Sequence, residues 1–231
     1  MIRSYGFSDI GTSRSKNEDI LTILKNHNFF MVADGMGGHK AGEVAAREAT
    51  EEICNSIYTN INIKEELSPK IIYNLLYLAI SNANKRVFSL SKKNKSFDGM
   101  GTTLSCLHLS KNSFTYGHIG DSRIYLFRKN RLKQLTKDHS LINISTQKKN
   151  IITKAIGTCS YVQPEIKSKK IFSKDIFFMC TDGLSDYISS DEIMKILKNN
   201  SSQKKAVTTL IETAKKNGSS DNITAILIEV L

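Results

Sequence analysis

The sequence is poor in the residues that mark several common architectures. Only two of its 231 residues are proline, so there is no proline-rich linker and no obvious point at which to divide the chain. Its four cysteines (Cys54, Cys106, Cys159 and Cys180) stand far apart, with no C-x-x-C pair. That spacing argues against a disulfide framework or zinc knuckle and fits reduced thiols in a cytosolic protein. Apolar runs such as Leu75 to Ile80 are far too short to span a bilayer, and Met1-Ile2-Arg3-Ser4 opens no apolar segment of the signal-peptide kind. Arginine is scarce as well: of 33 basic residues, seven are arginine. The formal charge of +11 is therefore mostly lysine, scattered or in pairs such as Lys92-Lys93, Lys148-Lys149 and Lys169-Lys170. No stretch interleaves basic and aromatic side chains as a base-stacking platform would, so the charge reads as a solvated surface and nucleic acid is not expected as a partner.

What is present describes an ordinary globular chain: 40% hydrophobic and 24% charged residues, and enough length to bury a core. Strand patterns occur at Ile2 to Ser8, Ile20 to Leu24 and Phe29 to Ala33. From Ala41 to Tyr58 the apolar spacing turns helical. Ser68-Pro69 then reads as an N-cap with proline at the first helical position, ahead of an apolar stripe running to about Leu90. The middle is strand-like at Thr103 to Leu109, Ser113 to Ile119, Arg123 to Phe127 and Arg131 to Leu135. Strands resume at Glu165 to Phe172 and Ile176 to Cys180. Ser189 and Glu192 are spaced as a capping box, a further helix carries Val207, Leu210, Ile211 and Ala214 on one face, and Ile223 to Val230 closes the chain as a strand. This order suits an α+β unit over residues 1–231, with antiparallel sheets covered by paired helices.

The chemistry lies in five acidic segments placed at strand ends or turns: Asn17-Glu18-Asp19, Asp34-Gly35-Met36-Gly37-Gly38-His39, Gly120-Asp121-Ser122-Arg123, Thr181-Asp182-Gly183 and Ser220-Asp221-Asn222. Asp-Gly alone is a turn signal. Asp34 and Asp182, however, follow strongly apolar strands, which would hold a carboxylate rigidly at the strand tip. If the five segments meet in space, so many carboxylates require a hard divalent cation. Oxygen ligands without His or Cys spacing point to Mg²⁺ or Mn²⁺ and away from Zn²⁺.

These segments, taken in order, resemble the bacterial metal-dependent protein phosphatases of the protein phosphatase 2C family. The resemblance runs from Arg14-x-x-Asn17-Glu18-Asp19 through Val32-Ala33-Asp34-Gly35-Met36-Gly37-Gly38-His39 and Ala41-Gly42-Glu43. It continues with Met100-Gly101-Thr102-Thr103, His118-Ile119-Gly120-Asp121-Ser122-Arg123 and Leu135-Thr136-x-Asp138-His139-Ser140. It ends with Ala155-Ile156-Gly157, Thr181-Asp182-Gly183-Leu184 and Gly218-x-x-Asp221-Asn222-x-Thr224.

The resemblance implies an α-β-β-α sandwich of two antiparallel sheets flanked by helix pairs, with a binuclear metal site at one end. It also implies hydrolysis of phosphoserine and phosphothreonine in proteins by a water or hydroxide bridging two Mn²⁺ or Mg²⁺ ions. By position, Asp34 matches the bridging carboxylate, with the Gly35 carbonyl as a further ligand, and Asp182 and Asp221 match ligands of the first metal. Glu18 matches the ligand of the second metal and Asp19 its water-mediated support. Asp121, with Asp182, matches the holder of a third, weaker ion in bacterial members. Arg14 matches the arginine that grips phosphate, which a guanidinium fork suits bidentately, and His39 a candidate proton donor to the leaving alkoxide.

The same chain has no C-x5-R loop, which excludes a cysteine-nucleophile phosphatase. Met100 to Thr103 reads as the start of a strand near the site, Arg123 as the partner of a local aspartate, and His118 and His139 as packing residues. The flap of bacterial members is short here, about residues 141–154, which leaves substrate selectivity and the third ion open; Lys148 and Lys149 within it read as a solvated loop. The expected partners are phosphorylated proteins, including a cognate Ser/Thr kinase, for a monomeric, cytoplasmic enzyme with no membrane attachment. The alternative is a catalytically silent phosphoprotein-binding member of the same fold.

Overall fold

The computed structural model describes residues 1–37, 41–62, 66–141, 151–199 and 202–231. Strands β1 (Ile2–Asp9), β2 (Asp19–Leu24) and β3 (Phe29–Met36) lead into helices α1 (Ala41–Asn60) and α2 (Pro69–Lys93). Strands β4 (Gly101–Thr102), β5 (Leu104–Leu109), β6 (Ser113–Ile119), β7 (Arg123–Arg128) and β8 (Arg131–Gln134) follow. After the two-residue strands β9 (Ser140–Leu141) and β10 (Ile151–Ile152) come β11 (Glu165–Lys170) and β12 (Ile176–Cys180). Helices α3 (Asp182–Ser185), α4 (Ser190–Asn199) and α5 (Gln203–Lys216) precede the last strand, β13 (Ile223–Val230).

The long strands form two antiparallel sheets. One has the order β1-β13-β12-β7-β8; the other has the order β11-β6-β5-β3-β2, with β4 added to β3. Strand alternation sorts the apolar side chains into three layers. In β3, Phe30 and Val32 face the other sheet, where they meet Phe177 and Met179 of β12 and Ile226 and Ile228 of β13. Phe29 and Met31 face outward and are covered by α1 and α2 through Ile53, Ile57, Ile72, Leu76 and Ile80. On the opposite face, Phe178, Cys180, Ala225 and Leu227 lie under α4 and α5, against Ile193, Leu197, Val207, Leu210 and Ile211. This is the expected α-β-β-α sandwich.

Local signals explain the helix starts. The Ser68 hydroxyl accepts the Ile71 N–H at the start of α2, with proline at the first position. Before α4, Ser189 and Glu192 bond reciprocally as a capping box. Two departures from the expected elements have a local cause. β11 ends at Lys170, because Phe172 turns out to stack under Arg128 and its N–H donates to Asp175. α3 stands where only a strand end and turn were expected; four residues are too few for any apolar period to announce.

Candidate metal centre

Antiparallel pairing brings the acidic segments to one end of the sandwich. β2 starts where β3 ends, so Asp19 and Asp34 are register partners. β13 starts beside the ends of β1 and β12, where Asp9 pairs with Ile223 and Cys180 with Ala225; this places Asp221 and Asp182 at the same end. The link Gly120-Asp121-Ser122 crosses there from β6 in one sheet to β7 in the other.

Hydrogen bonds hold each backbone in place. The Asp34 N–H donates to Thr103 Oγ1 at 3.0 Å and Thr102 Oγ1 donates to the Asp34 carbonyl at 2.9 Å. Thr102 and Thr103 therefore do more than begin a strand: their hydroxyls clamp Asp34 at both its N–H and its carbonyl. Gly35 is needed for close approach, because a Cβ there would lie 2.2 Å from the Gly42 carbonyl oxygen at the start of α1. A Cβ on Gly42 would lie 2.8 Å from the Gly35 carbonyl oxygen and 2.9 Å from Glu18 Oε2. The Gly35 carbonyl and the Glu18 carboxylate, each expected as a metal ligand, thus flank one bare Cα. Glu18 also accepts the Glu43 N–H in the first turn of α1, where a carboxylate is favoured by the helix dipole.

Asp19 is buried between the sheets. Its Oδ2 accepts the Thr181 hydroxyl at 2.9 Å, and Thr181 Oγ1 in turn accepts the Thr224 N–H. Arg14 reaches across 207 positions of sequence to donate from Nη2 to Asp221 Oδ2 at 2.8 Å. That pair has no local signature, and the family resemblance assigns Arg14 to a phosphate instead.

The electrostatics of the cluster are unfavourable as it stands. Asp34 is held well above the ordinary carboxylate range, first by burial and then by Asp19, Asp182 and Asp221 around it. Burial, opposed by hydroxyl bonds from Thr224 and Thr181 and reinforced by Asp182 and Asp221, raises Asp19 to about 7. Burial and the charges of Asp182, Asp186 and Asp138 raise Asp121 to about 7. Glu18 is raised too, mainly by burial.

Among the described residues no three His, Cys, Asp or Glu side chains close into a finished coordination cluster. The oxygens nevertheless fit divalent cations. Asp19 Oδ1, Asp121 Oδ1 and Asp182 Oδ1 are buried without a hydrogen-bond partner. Burying such an atom unpaired is costly, and three at one end, among like-charged groups, describe donors suited to a hard cation.

Arg123 grips both oxygens of Asp138, with Nε 3.1 Å from Oδ1 and Nη2 2.7 Å from Oδ2, as the partner of a local aspartate. The rings of His118 and His139 stack at 4.9 Å. His118 Nε2 lies 3.1 Å from the Lys137 carbonyl, and His139 Nδ1 accepts the Gly120 N–H. Both histidines are thus tied to each other and to the backbone of neighbouring loops. Of the short flap, Leu141 pairs with Ile151 and Ser140 with Ile152. His39, Lys148 and Lys149 lie outside the described residues. A cavity of about 250 Å³ lined by His27, Glu66, His108 and Lys111 sits at the other end of the strands, away from the acidic cluster.

Residues 12–228 match the family model for protein phosphatase 2C. The chain is 33% identical over 240 residues to protein phosphatase PhpP of Streptococcus pneumoniae, covering 96% of this chain and 95% of that one. The solved structure of serine/threonine phosphatase Stp1 from Staphylococcus aureus superposes with a TM-score of 0.91 at 31% identity, covering 100% of this chain and 96% of that one. The catalytic domain of serine/threonine phosphatase PstP, solved in complex with two manganese ions, gives 0.87 at 29% identity, with 100% and 98% covered. Fold, motif order and these likenesses together place the chain in the protein phosphatase 2C family, as a bacterial protein-serine/threonine phosphatase.

Proposed function

We propose that this phosphatase works with two divalent cations, Mn²⁺ or Mg²⁺, at the acidic end of the sandwich, and that residues 1–231 form its one catalytic domain. The observation that carries this reading is the set of three buried carboxylate oxygens without a donor, on Asp19, Asp121 and Asp182. The two manganese ions of the PstP structure support it.

In this reading Asp34 would hold both ions with the Gly35 carbonyl as a further ligand, Asp182 and Asp221 would hold the first, and Glu18 the second with Asp19 behind it. Asp121 and Asp182 hold a third, weaker ion. Bound there, the ions neutralise phosphoryl charge and acidify a water to a nucleophile at neutral pH. The chain's own part is to aim and to exchange charge. Arg14 leaves Asp221 for the phosphate oxygens of a phosphoserine or phosphothreonine, which its fork can bind in pairs. The Thr181 hydroxyl and Thr224 amide keep Asp19 oriented as its neighbours change charge. Thr102 and Thr103 keep Asp34 at its strand tip. His39 supplies a proton to the departing alkoxide. The enzyme acts as a cytoplasmic monomer on phosphoproteins, opposing a bacterial Ser/Thr kinase; no described helix is long and apolar enough to cross a membrane.

The test is hydrolysis of p-nitrophenyl phosphate and of a phosphothreonine peptide, with Mn²⁺ or with EDTA, by wild type and Asp182→Asn. Release that needs Mn²⁺ and falls by about 10³-fold or more in the variant is expected, because one lost ligand misplaces the whole reacting geometry. Equal release in EDTA, or full activity of the variant, refutes the assignment.

A further inference from the structure

The loop from Ile10 to Glu18 carries two residues with separate tasks, Arg14 for phosphate and Glu18 for a cation. Residues 12–16 are exposed, so the loop has little apolar burial to hold it. Ordering such a segment costs conformational entropy at every residue, and its position has to come from hydrogen bonds. Three of those bonds come from one side chain.

Asn222, buried at the start of β13, donates from Nδ2 to the Ile10 carbonyl at 2.9 Å and to the Lys16 carbonyl at 2.8 Å. Its Oδ1 accepts the Glu18 N–H at 2.8 Å. The contacts straddle Arg14, one before it and two after it. Only a primary amide can do this, because two carbonyls demand two N–H donors and one N–H demands an acceptor. The same demand fixes which way the amide points. The loop also lies flush on this turn: a Cβ on Gly11 would come within 1.9 Å of the Asp221 carbonyl oxygen. Asp221 itself accepts the Asn222 N–H at 2.8 Å through Oδ1 and Arg14 through Oδ2.

We infer that Asn222 is a positioning residue that sets the Arg14–Glu18 loop against Asp221, so that the phosphate grip and the two cation arms move as one piece. The inference rests on the roles given to Arg14 and Glu18 under the proposed function. Its reach is specific. Loss of Asn222 raises the KM for substrate and weakens Mn²⁺ binding through Glu18, and neither change follows from a general loss of stability.

The experiment compares wild type, Asn222→Ala, Arg14→Ala and the double variant on a phosphothreonine peptide in saturating Mn²⁺. Circular dichroism confirms the fold, and calorimetric titration with Mn²⁺ measures binding. Asn222→Ala is expected to raise KM about tenfold, as small displacements of a positioning group do, and to weaken Mn²⁺ binding. In the Arg14→Ala background its further effect on KM should fall below about twofold, the mark of two residues acting as a unit. If Asn222→Ala fails to fold, Asn222→Asp carries the same comparison; it keeps the volume and the acceptor but faces two carbonyls without a donor. An equal KM factor in both backgrounds, or a lowered Tm with KM and Mn²⁺ binding unchanged, overturns the inference alone. If Arg14→Ala leaves KM untouched, the reading of Arg14 fails and the inference falls with it.

Discussion

Replacing Asp121 with asparagine should stabilise the metal-free protein at pH 8. Asp121 is 5% exposed and its Oδ1 has no donor. Burial and the neighbouring charges of Asp182, Asp186 and Asp138 raise it from 3.8 to about 7. The folded value lies above the unfolded one, so the folded chain keeps the proton through the window between them. Stability is therefore lost as pH rises from about 3.8 to about 7. A separation of about three pH units corresponds to about 4 kcal/mol at pH 8, an upper limit because asparagine has its own polar atoms to satisfy. For a chain of this length that is a rise in Tm on the order of 10 °C. The assay is thermal unfolding in EDTA, followed by circular dichroism, for wild type and Asp121→Asn at pH 8 and pH 5. Asparagine does not titrate, so the gap between the two proteins should shrink by more than half at pH 5. A variant less stable than wild type at pH 8, or a gap independent of pH, refutes the account of the acidic end as a strained cluster.

Two further outcomes follow from the packing. Phe177 is fully buried between the sheets, edge-on to Phe114 with ring centroids at 4.8 Å. Phe177→Ala should cost about 3–5 kcal/mol, read as a lower urea midpoint at unchanged slope. Arg123→Lys keeps the charge but loses the two-point grip on Asp138 and the bond from Nη1 to the Ser185 carbonyl. A loss of about 1–3 kcal/mol is expected, and an unchanged Tm would show the fork to be dispensable.

Much of this molecule was legible in its residues. Alternation marked the first strand and short β-branched or aromatic runs marked the core strands, Ser68-Pro69 and Ser189-x-x-Glu192 announced two helix starts, and Asp34 and Asp182 were conspicuous because each follows an unbroken apolar strand. What stayed hidden depends on residues far apart in the chain. Nothing near Arg14 in sequence points to Asp221, 207 positions away. Nothing marks Asn222 as more than the companion of an aspartate, because its partners lie on a loop at the other end of the chain. Thr102 and Thr103 look like ordinary strand residues until their hydroxyls are seen on the Asp34 peptide.

The arrangement of β3 has a consequence for folding accuracy. Phe29 to Ala33 are apolar on both faces, one set under the helices and the other between the sheets. A strand with one polar face is locked in register, because a one-residue slip would turn its apolar set toward water. β3 has no such safeguard: a slip there would exchange one buried layer for another. Its register has to be read at its tip, where Thr102 and Thr103 capture the Asp34 peptide and Gly35 admits the backbone of α1. The end of the sandwich that gathers the carboxylates is thus also the alignment key of this interior strand. Substitutions there that spare every carboxylate should still yield misaligned, aggregation-prone chains during refolding.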